Sequence, residues 1–363
     1  MSSVNEYKIC MVSDLLANGG AERCAALLSI FFDKNNCQVH HVVVVDKIEY
    51  DYAGAVLNLG KLKNESNNFF NRLKRFWVLK KFFDTNTFDY IIDFRVKRFQ
   101  LQEYIIAKYI FKSPLIVTIH NYMTELYFPE NSFLANSIYK NVKLITVADL
   151  ITAKVKNNYN YTDVTTMYNP IDIDYFEQKA AEDLAINYQY IVAIGRFTSI
   201  KQFDVIIASY HKSKLMDENI KLILLGDGEE RVMIEKVISD LHLEKDVVLL
   251  GFQENPYKYM KNALFLVMAS KFEGFPMVLI ESLTCGTPVV SFDCPSGPSE
   301  IIINNENGIL VENQNSEKLT LAMNKMIQNK EFYLHCKQNA KPSVERFSIE
   351  IIGKQWLELL KIK

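Results

Sequence analysis

The chain has 363 residues and a formal net charge of −2, with 49% hydrophobic and 23% charged residues. This composition is typical of a globular protein, and the length exceeds what one ordinary core requires. Because the sequence has no long apolar run, we expect no membrane-spanning helix and no secretion signal. Because it has no strong basic excess, we expect no nucleic-acid partner. The six cysteines lack CxxC spacing, which argues against a zinc site and a disulfide scaffold.

The first half of the chain alternates between short β-branched runs and segments of helical length. We predict buried parallel strands at 7–13, 39–45, 89–94, 114–119 and 143–147. This βαβα alternation indicates an open parallel sheet with helices on both faces.

Asn169-Pro170 interrupts the pattern after a further strand at 164–167, and we place a hinge there. The alternation then restarts, with strands expected at 190–194, 220–225, 247–250, 263–268, 288–291 and 308–311. We therefore predict an α/β protein with two doubly wound domains in series, at 1–168 and 169–345. The segment 346–363 is expected to form a helix that packs back on the first domain. Because open α/β sheets bind ligands at the carboxyl ends of their strands, we expect the chemistry in a cleft between the domains.

The segment 69–83 mixes cations and aromatic residues in the sequence FFNRLKRFWVLKKFF. Its five cations are Arg72, Lys74, Arg75, Lys80 and Lys81. One interpretation is a crossover helix with its aromatic side chains in the core, and the other is a basic amphipathic surface for an anionic membrane. We favour the core for the aromatic residues and leave the role of the cations open.

Charge is unevenly divided along the chain. Residues 1–168 contain 20 Lys and Arg against 16 Asp and Glu, a net charge of +4, whereas the remainder carries 21 against 27, a net charge of −6. We therefore expect a cytoplasmic protein and leave open a peripheral contact of the first half with the inner face of the membrane.

Glu273 and Glu281 lie in the sequence KFEGFPMVLIES, which follows the predicted strand 263–268. Gly274 allows close approach of the backbone to a ligand, and Pro276 suits the first turn of a helix. The amide groups at such a helix start form an anion site. In this interpretation Glu281 binds ribose hydroxyls and Glu273 points at a transferred sugar. Two surface glutamates beside an ordinary loop are the alternative.

Two further loops of the second half carry candidate ligand groups. Arg196 and Lys201 follow strand 190–194 and suit a diphosphate, since arginine forks onto phosphate oxygens and lysine adds a point charge. A solvated pair at the domain surface is the alternative. Gly226 and Gly251-Phe252 follow the next two strands, where they suit a nucleobase or ordinary turns.

The first half contributes Gly19-Gly20, after its first strand, and His120, at the end of strand 114–119. Paired glycines let a loop pass close to a ligand, although a tight turn explains them equally well. The sequence has no GxGxxG motif, so a dinucleotide cofactor is not expected. His120 is a candidate because of its position, since a lone histidine is more often structural.

Taken together, these segments resemble glycosyltransferase family 4, a family of retaining enzymes with the two-domain GT-B fold. The matching sequences occur in the family's order: GGAER, TIHN, MYNPID, IGRF with Lys201, LLGDGEER, LLGF and EGFPMVLIES. The resemblance implies four catalytic residues, Arg196, Lys201, Glu273 and His120. It implies a donor-binding set of Gly19, Gly20, Gly226, Phe252, Gly274, Phe275, Pro276, Met277 and Glu281. The family often has Gly-Leu where this chain has Phe275-Pro276-Met277, and that difference is expected to alter the sugar pocket.

The function implied is transfer of a hexose or N-acetylhexosamine from a UDP-sugar to a lipid-linked saccharide, with retention and with no cofactor or metal. The sequence CPSGPSEII at 294–302 resembles family members that build bacterial surface polysaccharides. A UDP-sugar 2-epimerase of similar build and a non-catalytic nucleotide-sugar-binding protein are the alternatives. A phosphorylase is disfavoured because we find no lysine context for pyridoxal phosphate. The identity of the sugar and of the acceptor is left open.

Overall fold

A computed structural model describes residues 7–129 and 131–362. The chain forms two compact units. The first comprises the chain up to Ile171 together with the segment from Phe347 onwards, and the second is Asp172–Arg346. The sequence pattern placed the boundary after residue 168, three residues earlier than the contacts do.

The first unit is built on a seven-stranded parallel sheet with the order β3-β2-β1-β4-β5-β6-β7. Its strands are β1 Tyr7–Ser13, β2 Cys37–Val43, β3 Ala55–Asn58, β4 Tyr90–Asp93, β5 Leu115–Ile119, β6 Lys143–Thr146 and β7 Val164–Thr166. Of these, β3 is absent from the sequence-based prediction. It is a short edge strand with no buried residue, so it lacks the apolar run that identifies the others.

Helices connect these strands, except that an irregular loop joins β2 to β3. They are α1 Gly20–Lys34, α2 Phe69–Thr85, α3 Gln100–Ile105, α4 Ser132–Tyr139 and α5 Asp149–Tyr159, with 3₁₀ turns at Gly60–Leu62 and Thr124–Leu126 and a π-helix at Ile106–Ile110.

The second unit repeats the plan with six parallel strands in the order β10-β9-β8-β11-β12-β13. These strands are β8 Tyr190–Ile194, β9 Lys221–Leu225, β10 Val247–Gly251, β11 Leu266–Met268, β12 Val289–Phe292 and β13 Gly308–Val311. Its helices are α6 Ile173–Ala180, α7 Phe203–His211, α8 Arg231–Asp240, α9 Tyr257–Asn262, α10 Met277–Thr284, α11 Pro298–Ile301, α12 Ser316–Gln328 and α13 Lys330–Val344. The prediction of two doubly wound parallel domains is confirmed.

A 3₁₀ turn at Glu345–Phe347 leads to the last helix, α14 Ile349–Leu359, which belongs to the first unit. Trp356 is buried there, with its ring 6.5 Å from that of Phe32 in α1. At Gly353 a β-carbon would lie 2.6 Å from the ring of Phe31, so only glycine lets the two helices approach this closely. The Tyr90 hydroxyl donates a hydrogen bond to the carbonyl of Leu360. The C-terminal helix therefore completes the core of the first unit.

Helix α2 differs from the interpretation of its sequence. Phe69, Phe70 and Trp77 are 71%, 78% and 64% exposed, so placing these aromatic side chains in the core is wrong. The helix instead buries Leu79 and Phe83, together with Asn71, and Phe70 and Trp77 lie on the opposite side. Composition alone does not distinguish the two faces of such a helix, because both carry large apolar residues.

Within residues 7–129 and 131–362, no helix has the length and apolar character needed to cross a bilayer.

Candidate functional site

The loops at the carboxyl edge of the second unit's sheet are joined to one another by main-chain hydrogen bonds. The amide of Lys271, after β11, donates to the carbonyl of Ile200, after β8, at 2.8 Å. The amide of Glu273 donates to the carbonyl of Pro295, after β12, at 2.7 Å. The side chains on these three loops are therefore held in a fixed arrangement.

Lys201 and Glu273 form an ion pair across this edge. The Lys201 Nζ lies 2.5 Å from Glu273 Oε1, and the Ser270 hydroxyl donates to the same oxygen at 2.6 Å. The two side chains are only 26% and 12% exposed, so the pair is partly shielded from water. Both residues were predicted individually. Ser270 was missed, although its position just after a strand was a signal.

The position of this pair follows from the strand order. The sheet runs β10-β9-β8 in one direction and β11-β12-β13 in the other, so the order reverses between β8 and β11. Open α/β sheets bind ligands at this switch point, where the loops after the two strands diverge. Lys201 follows one of these strands and Glu273 the other.

Arg196 also follows β8 but is exposed, and it forms no ion pair or hydrogen bond with any residue that the structure describes. It does not join the Lys201–Glu273 pair. Its guanidinium is therefore free of protein anions and can bind an anionic ligand at this edge.

Helix α10 begins at Met277, one residue later than expected, with Pro276 as the residue that precedes it. A hydrogen bond and the close packing of a glycine, both from the loop after β12, hold the start of this helix in place. The Ser296 hydroxyl donates to the carbonyl of Gly274 at 2.7 Å, and a β-carbon at Gly297 would lie 2.5 Å from Pro276 Cδ. The first turn of α10 can therefore offer its amide groups and its dipole to an anion.

The flanking residues of α10 differ in burial. Phe275 is buried beneath the start of the helix, and Glu281 is half-buried in its second turn. Glu281 lies on α10, whereas Glu273 lies in the loop that precedes this helix. The roles of the two glutamates, Glu273 towards the donor sugar and Glu281 towards the ribose, stay predictions.

The glycine after β9 has a structural explanation. A β-carbon at Gly226 would lie 1.9 Å from the carbonyl oxygen of Gly195, and φ at Gly226 is +142°. The adjacent Asp227 carbonyl accepts from the amide of Phe197 at 2.9 Å. Packing of the two loops accounts for this glycine without a ligand. By contrast, Phe252 is exposed at the carboxyl end of β10, where its ring is free to stack on a planar group.

In the first unit, Gly19 precedes α1, and the side chain of Glu22 folds over it. A β-carbon at Gly19 would lie 2.0 Å from Glu22 Oε2, so this glycine makes room for the carboxylate. Gly20 is the first residue of the helix. Burial raises the pKa of Glu22, and the charge of Asp14 raises it further.

His120 follows β5 and lies against the ring of Phe94, with the two centroids 5.7 Å apart. Its main-chain amide donates to the Tyr127 hydroxyl at 3.1 Å. Burial lowers the pKa of His120 to about 3, and the side chain of Asn169 opposes that shift. The imidazole is therefore neutral at physiological pH and can act as a polar but uncharged group.

A buried network of four charged residues, not predicted from the sequence, lies at the end of β4. Arg95 donates to both carboxylate oxygens of Asp93 at 3.0 and 2.8 Å and to Glu103 Oε2 at 3.1 Å, and Lys97 also donates to Asp93. Burial raises the pKa of Asp93, but Arg95 and Lys97 outweigh it and hold that pKa at about 2. All four side chains are buried and their charges cancel. The sequence DFRVKR looks like solvated surface charge, which is why the network was missed.

Within the described parts of the chain, no group of three or more His, Cys, Asp or Glu side chains is placed to hold a metal ion.

Comparison with known proteins identifies relatives over nearly the whole chain. The family model described as glycosyl transferases group 1 matches residues 174–342, within the second unit. One relative is the N-acetylgalactosamine-N,N'-diacetylbacillosaminyl-diphospho-undecaprenol 4-alpha-N-acetylgalactosaminyltransferase of Campylobacter jejuni. It is 30% identical, and the match covers 95% of this chain and 97% of that protein.

A second Campylobacter jejuni relative is 26% identical, over 97% of this chain and 98% of its own length. It is the GalNAc-alpha-(1->4)-GalNAc-alpha-(1->3)-diNAcBac-PP-undecaprenol alpha-1,4-N-acetyl-D-galactosaminyltransferase. Among solved structures, Anabaena HepE in complex with UDP superimposes with a TM-score of 0.77 at 19% identity, covering 98% of this chain and 99% of that one. That likeness establishes the fold.

The burial of His120 predicts a pH dependence of stability. Its folded-state pKa lies below the unfolded value of about 6.5, so below that pH the unfolded chain binds a proton that the folded chain does not. Stability is therefore fully present above about pH 6.5 and is lost as the pH falls towards 3, at up to roughly 1.4 kcal/mol per pH unit. Between pH 7 and pH 5 the free energy of unfolding should fall in both proteins. We expect the fall to be smaller in His120→Gln than in the wild type, by up to about 2 kcal/mol.

Urea denaturation of both proteins at the two pH values measures this difference. The matched control is His211→Gln, which makes the same substitution at an exposed position of the second unit. An identical pH dependence for His120→Gln and wild type would contradict the burial of a neutral imidazole.

Proposed function

This chain belongs to the group 1 glycosyl transferases, and we propose that it transfers an N-acetylhexosamine from a UDP-sugar to a lipid-linked saccharide in surface polysaccharide synthesis. The observation that carries the proposal is the near-full-length match to a transferase whose name specifies N-acetylgalactosamine and an undecaprenol diphosphate acceptor. The proposal includes retention of the anomeric configuration, independence from divalent metals and contact with an anionic membrane.

The donor is proposed to bind at the carboxyl edge of the second unit. Arg196, Lys201 and the first turn of α10 bring positive charge to that edge, which suits the diphosphate of a nucleotide sugar. Uridine as the base is supported by the UDP bound to the structural neighbour from Anabaena.

The charge at this edge also supports the chemistry. As the bond between the anomeric carbon and the diphosphate breaks, negative charge grows on the leaving phosphate oxygens. Arg196 and Lys201 can neutralise that charge in place, which is the role that a divalent cation would otherwise have. This is the physical basis for proposing that the reaction needs no metal.

Retention is supported by the linkages in the relatives' names. Both relatives form α linkages. If the donor is also α-linked, the acceptor oxygen forms its bond on the face from which the nucleotide leaves. In a front-face reaction the acceptor hydroxyl attacks the anomeric carbon, the carbon–oxygen bond to the diphosphate breaks, and a donor phosphate oxygen takes the acceptor proton. No side chain then needs to form a covalent intermediate.

Glu273 is proposed to change partners during the reaction cycle. In the structure its carboxylate is bound by Lys201 and Ser270. A donor diphosphate competes for the Lys201 ammonium, and Glu273 can then orient the sugar or stabilise positive charge at the anomeric carbon. The pair thus keeps a lysine positioned, and its charge compensated, until an anion arrives.

The proposal predicts the product directly. Purified protein with UDP-N-acetylgalactosamine and an undecaprenyl-diphosphate-linked saccharide, in EDTA, should release UDP and lengthen the acceptor by one N-acetylhexosamine. Proton NMR of the product should show the small anomeric coupling of an α linkage. GDP-mannose is the control donor and should give no product.

Four other outcomes would contradict parts of the proposal. A β linkage contradicts retention, and activity that requires Mn²⁺ contradicts metal independence. A 2-epimer formed without acceptor identifies an epimerase, and donor binding without turnover identifies a binding protein.

The proposed roles of the two glutamates, one in the loop before α10 and one on that helix, predict different kinetic defects. Glu281→Ala should raise KM about tenfold with little change in kcat, because a ribose contact is equal in the ground and transition states. Glu273→Ala should lower kcat roughly 10²–10³-fold, since it acts on charge that develops at the reacting centre. Steady-state kinetics on folded variants measure both, with the exposed Glu317→Ala as control. The reverse pattern would mean that the two roles are exchanged.

A further inference from the structure

Helix α2 presents an apolar stripe to solvent. Phe70, Leu73 and Trp77 are exposed and are spaced three and four residues apart, so they lie on one side of the helix. The opposite side, with Leu79 and Phe83, is buried. A surface helix of a globular protein normally turns polar residues to solvent, so this stripe requires an explanation.

Positive charge flanks the stripe. Lys74 and Lys81 lie on the same exposed side, and neither has an ion-pair partner among residues 7–129 and 131–362. The one acidic residue of α2, Asp84, is already bound by Lys80 at 2.6 Å and by Lys112 at 2.5 Å. We call Phe70, Leu73, Lys74, Trp77 and Lys81 the α2 face. It combines large apolar groups with uncompensated cations.

Exposed aromatic residues also occur on other elements of the first unit. The π-helix that contacts α2 carries the exposed Tyr109, and the Lys108 ammonium lies 5.8 Å from the centre of its ring. Of the eight exposed aromatic residues in the described chain, six lie between residues 69 and 133: Phe69, Phe70, Trp77, Phe99, Tyr109 and Phe133. Exposed aromatic groups are thus concentrated in one segment of the first unit.

We propose that the α2 face docks on the surface of an anionic lipid bilayer. Phenylalanine, leucine and tryptophan would enter the boundary between headgroups and acyl chains, where amphipathic helices with these residues bind. The lysines would reach lipid phosphates while their methylene stems cover apolar surface. The inference rests on the proposed lipid-linked acceptor for its purpose, since docking holds the first unit where such an acceptor lies.

The composition favours lipid over a second copy of this chain. A two-fold symmetric contact through the α2 face would bring Lys74 and Lys81 of both copies into one interface, four cations in all. Lysine is also depleted in protein interfaces in general. An anionic surface, by contrast, complements the lysines and the apolar stripe together.

The tryptophans provide a direct probe. The chain has two, and Trp356 is buried whereas Trp77 lies in the α2 face. Vesicles of phosphatidylcholine with about one third phosphatidylglycerol should shift the tryptophan emission to shorter wavelength at low salt, in line with the surface-charge attraction, whereas pure phosphatidylcholine should not. Trp77→Phe should still co-sediment with the anionic vesicles but lose the shift, which places the signal at this helix.

Variants of the α2 face separate its two components. Each cation near an anionic surface contributes about fivefold to partitioning, so Lys74→Glu with Lys81→Glu should weaken vesicle binding by at least roughly 25-fold. Phe70→Ser with Trp77→Ser should also lose binding. The matched control is Val232→Ser with Lys330→Glu on the exposed surface of the second unit, which should bind like wild type.

Two results would overturn the inference: wild-type vesicle binding by both α2 variants, or no emission shift in the folded wild type. A dimer in sedimentation that Phe70→Ser with Trp77→Ser abolishes would instead assign the face to a second copy. Transfer to a short-chain, water-soluble acceptor should be unchanged in the α2 variants. Vesicle binding without any transfer would count against the proposed function and leave the docking surface standing.

Discussion

The ion pair between Lys201 and Glu273 exists because two strands that are far apart in the chain are neighbours in the sheet. After β10 the chain crosses back and lays β11 beside β8, so the loops that follow these two strands meet at the point where the strand order reverses. Main-chain hydrogen bonds between the loops then fix the distance between the two side chains. An ammonium held in this way is preorganised for an anion, and preorganisation of charge is the largest contribution that proteins make to many reactions.

The first unit has the same kind of switch point, between β1 and β4, but its charges are arranged differently. Arg95 and Lys97 are buried against Asp93 and Glu103, and the four charges cancel. Buried groups satisfied in this way hold a loop in place and offer little to a ligand. In the second unit Arg196 has no such partner among the described residues, and Lys201 is partly exposed. The contrast supports placing the anionic donor on the second unit.

The sequence predicted the strands well because most of them are buried β-branched runs bounded by helical segments. It missed β3, whose residues are not buried, and it misplaced Phe69, Phe70 and Trp77 of α2, although Phe83 lies in the core as expected. Both errors have one cause: apolar composition indicates burial only where the rest of the fold covers the residue. On α2 nothing in the described first unit covers Phe70 or Trp77. Their exposure is the observation on which the proposed docking surface rests.

The site was predicted residue by residue, but its connections were not. Lys201 and Glu273 were chosen from separate motifs, and their contact spans 72 positions of sequence. Ser270 was recognised as part of the site only from its hydrogen bond to Glu273. The buried network around Asp93 was recognised only from the hydrogen bonds that Asp93 accepts. For Gly19 and Gly226 the sequence left a ligand contact and an ordinary turn open, and the structure adds that a β-carbon would meet Glu22 at the first and the carbonyl of Gly195 at the second. Spacing in a sequence thus identifies which residue types converge, and only the fold shows what they touch.

The claim that Lys201 and Glu273 act as one unit is tested most directly by a double-mutant cycle. The measurement is kcat/KM with UDP-N-acetylgalactosamine for wild type, Lys201→Met, Glu273→Gln and the double variant. If the pair is coupled, each single change should cost roughly 10²–10³-fold, and the double variant should be no more than about tenfold worse than the poorer single one. Losses that simply multiply would contradict the coupling and show that the two side chains contribute independently.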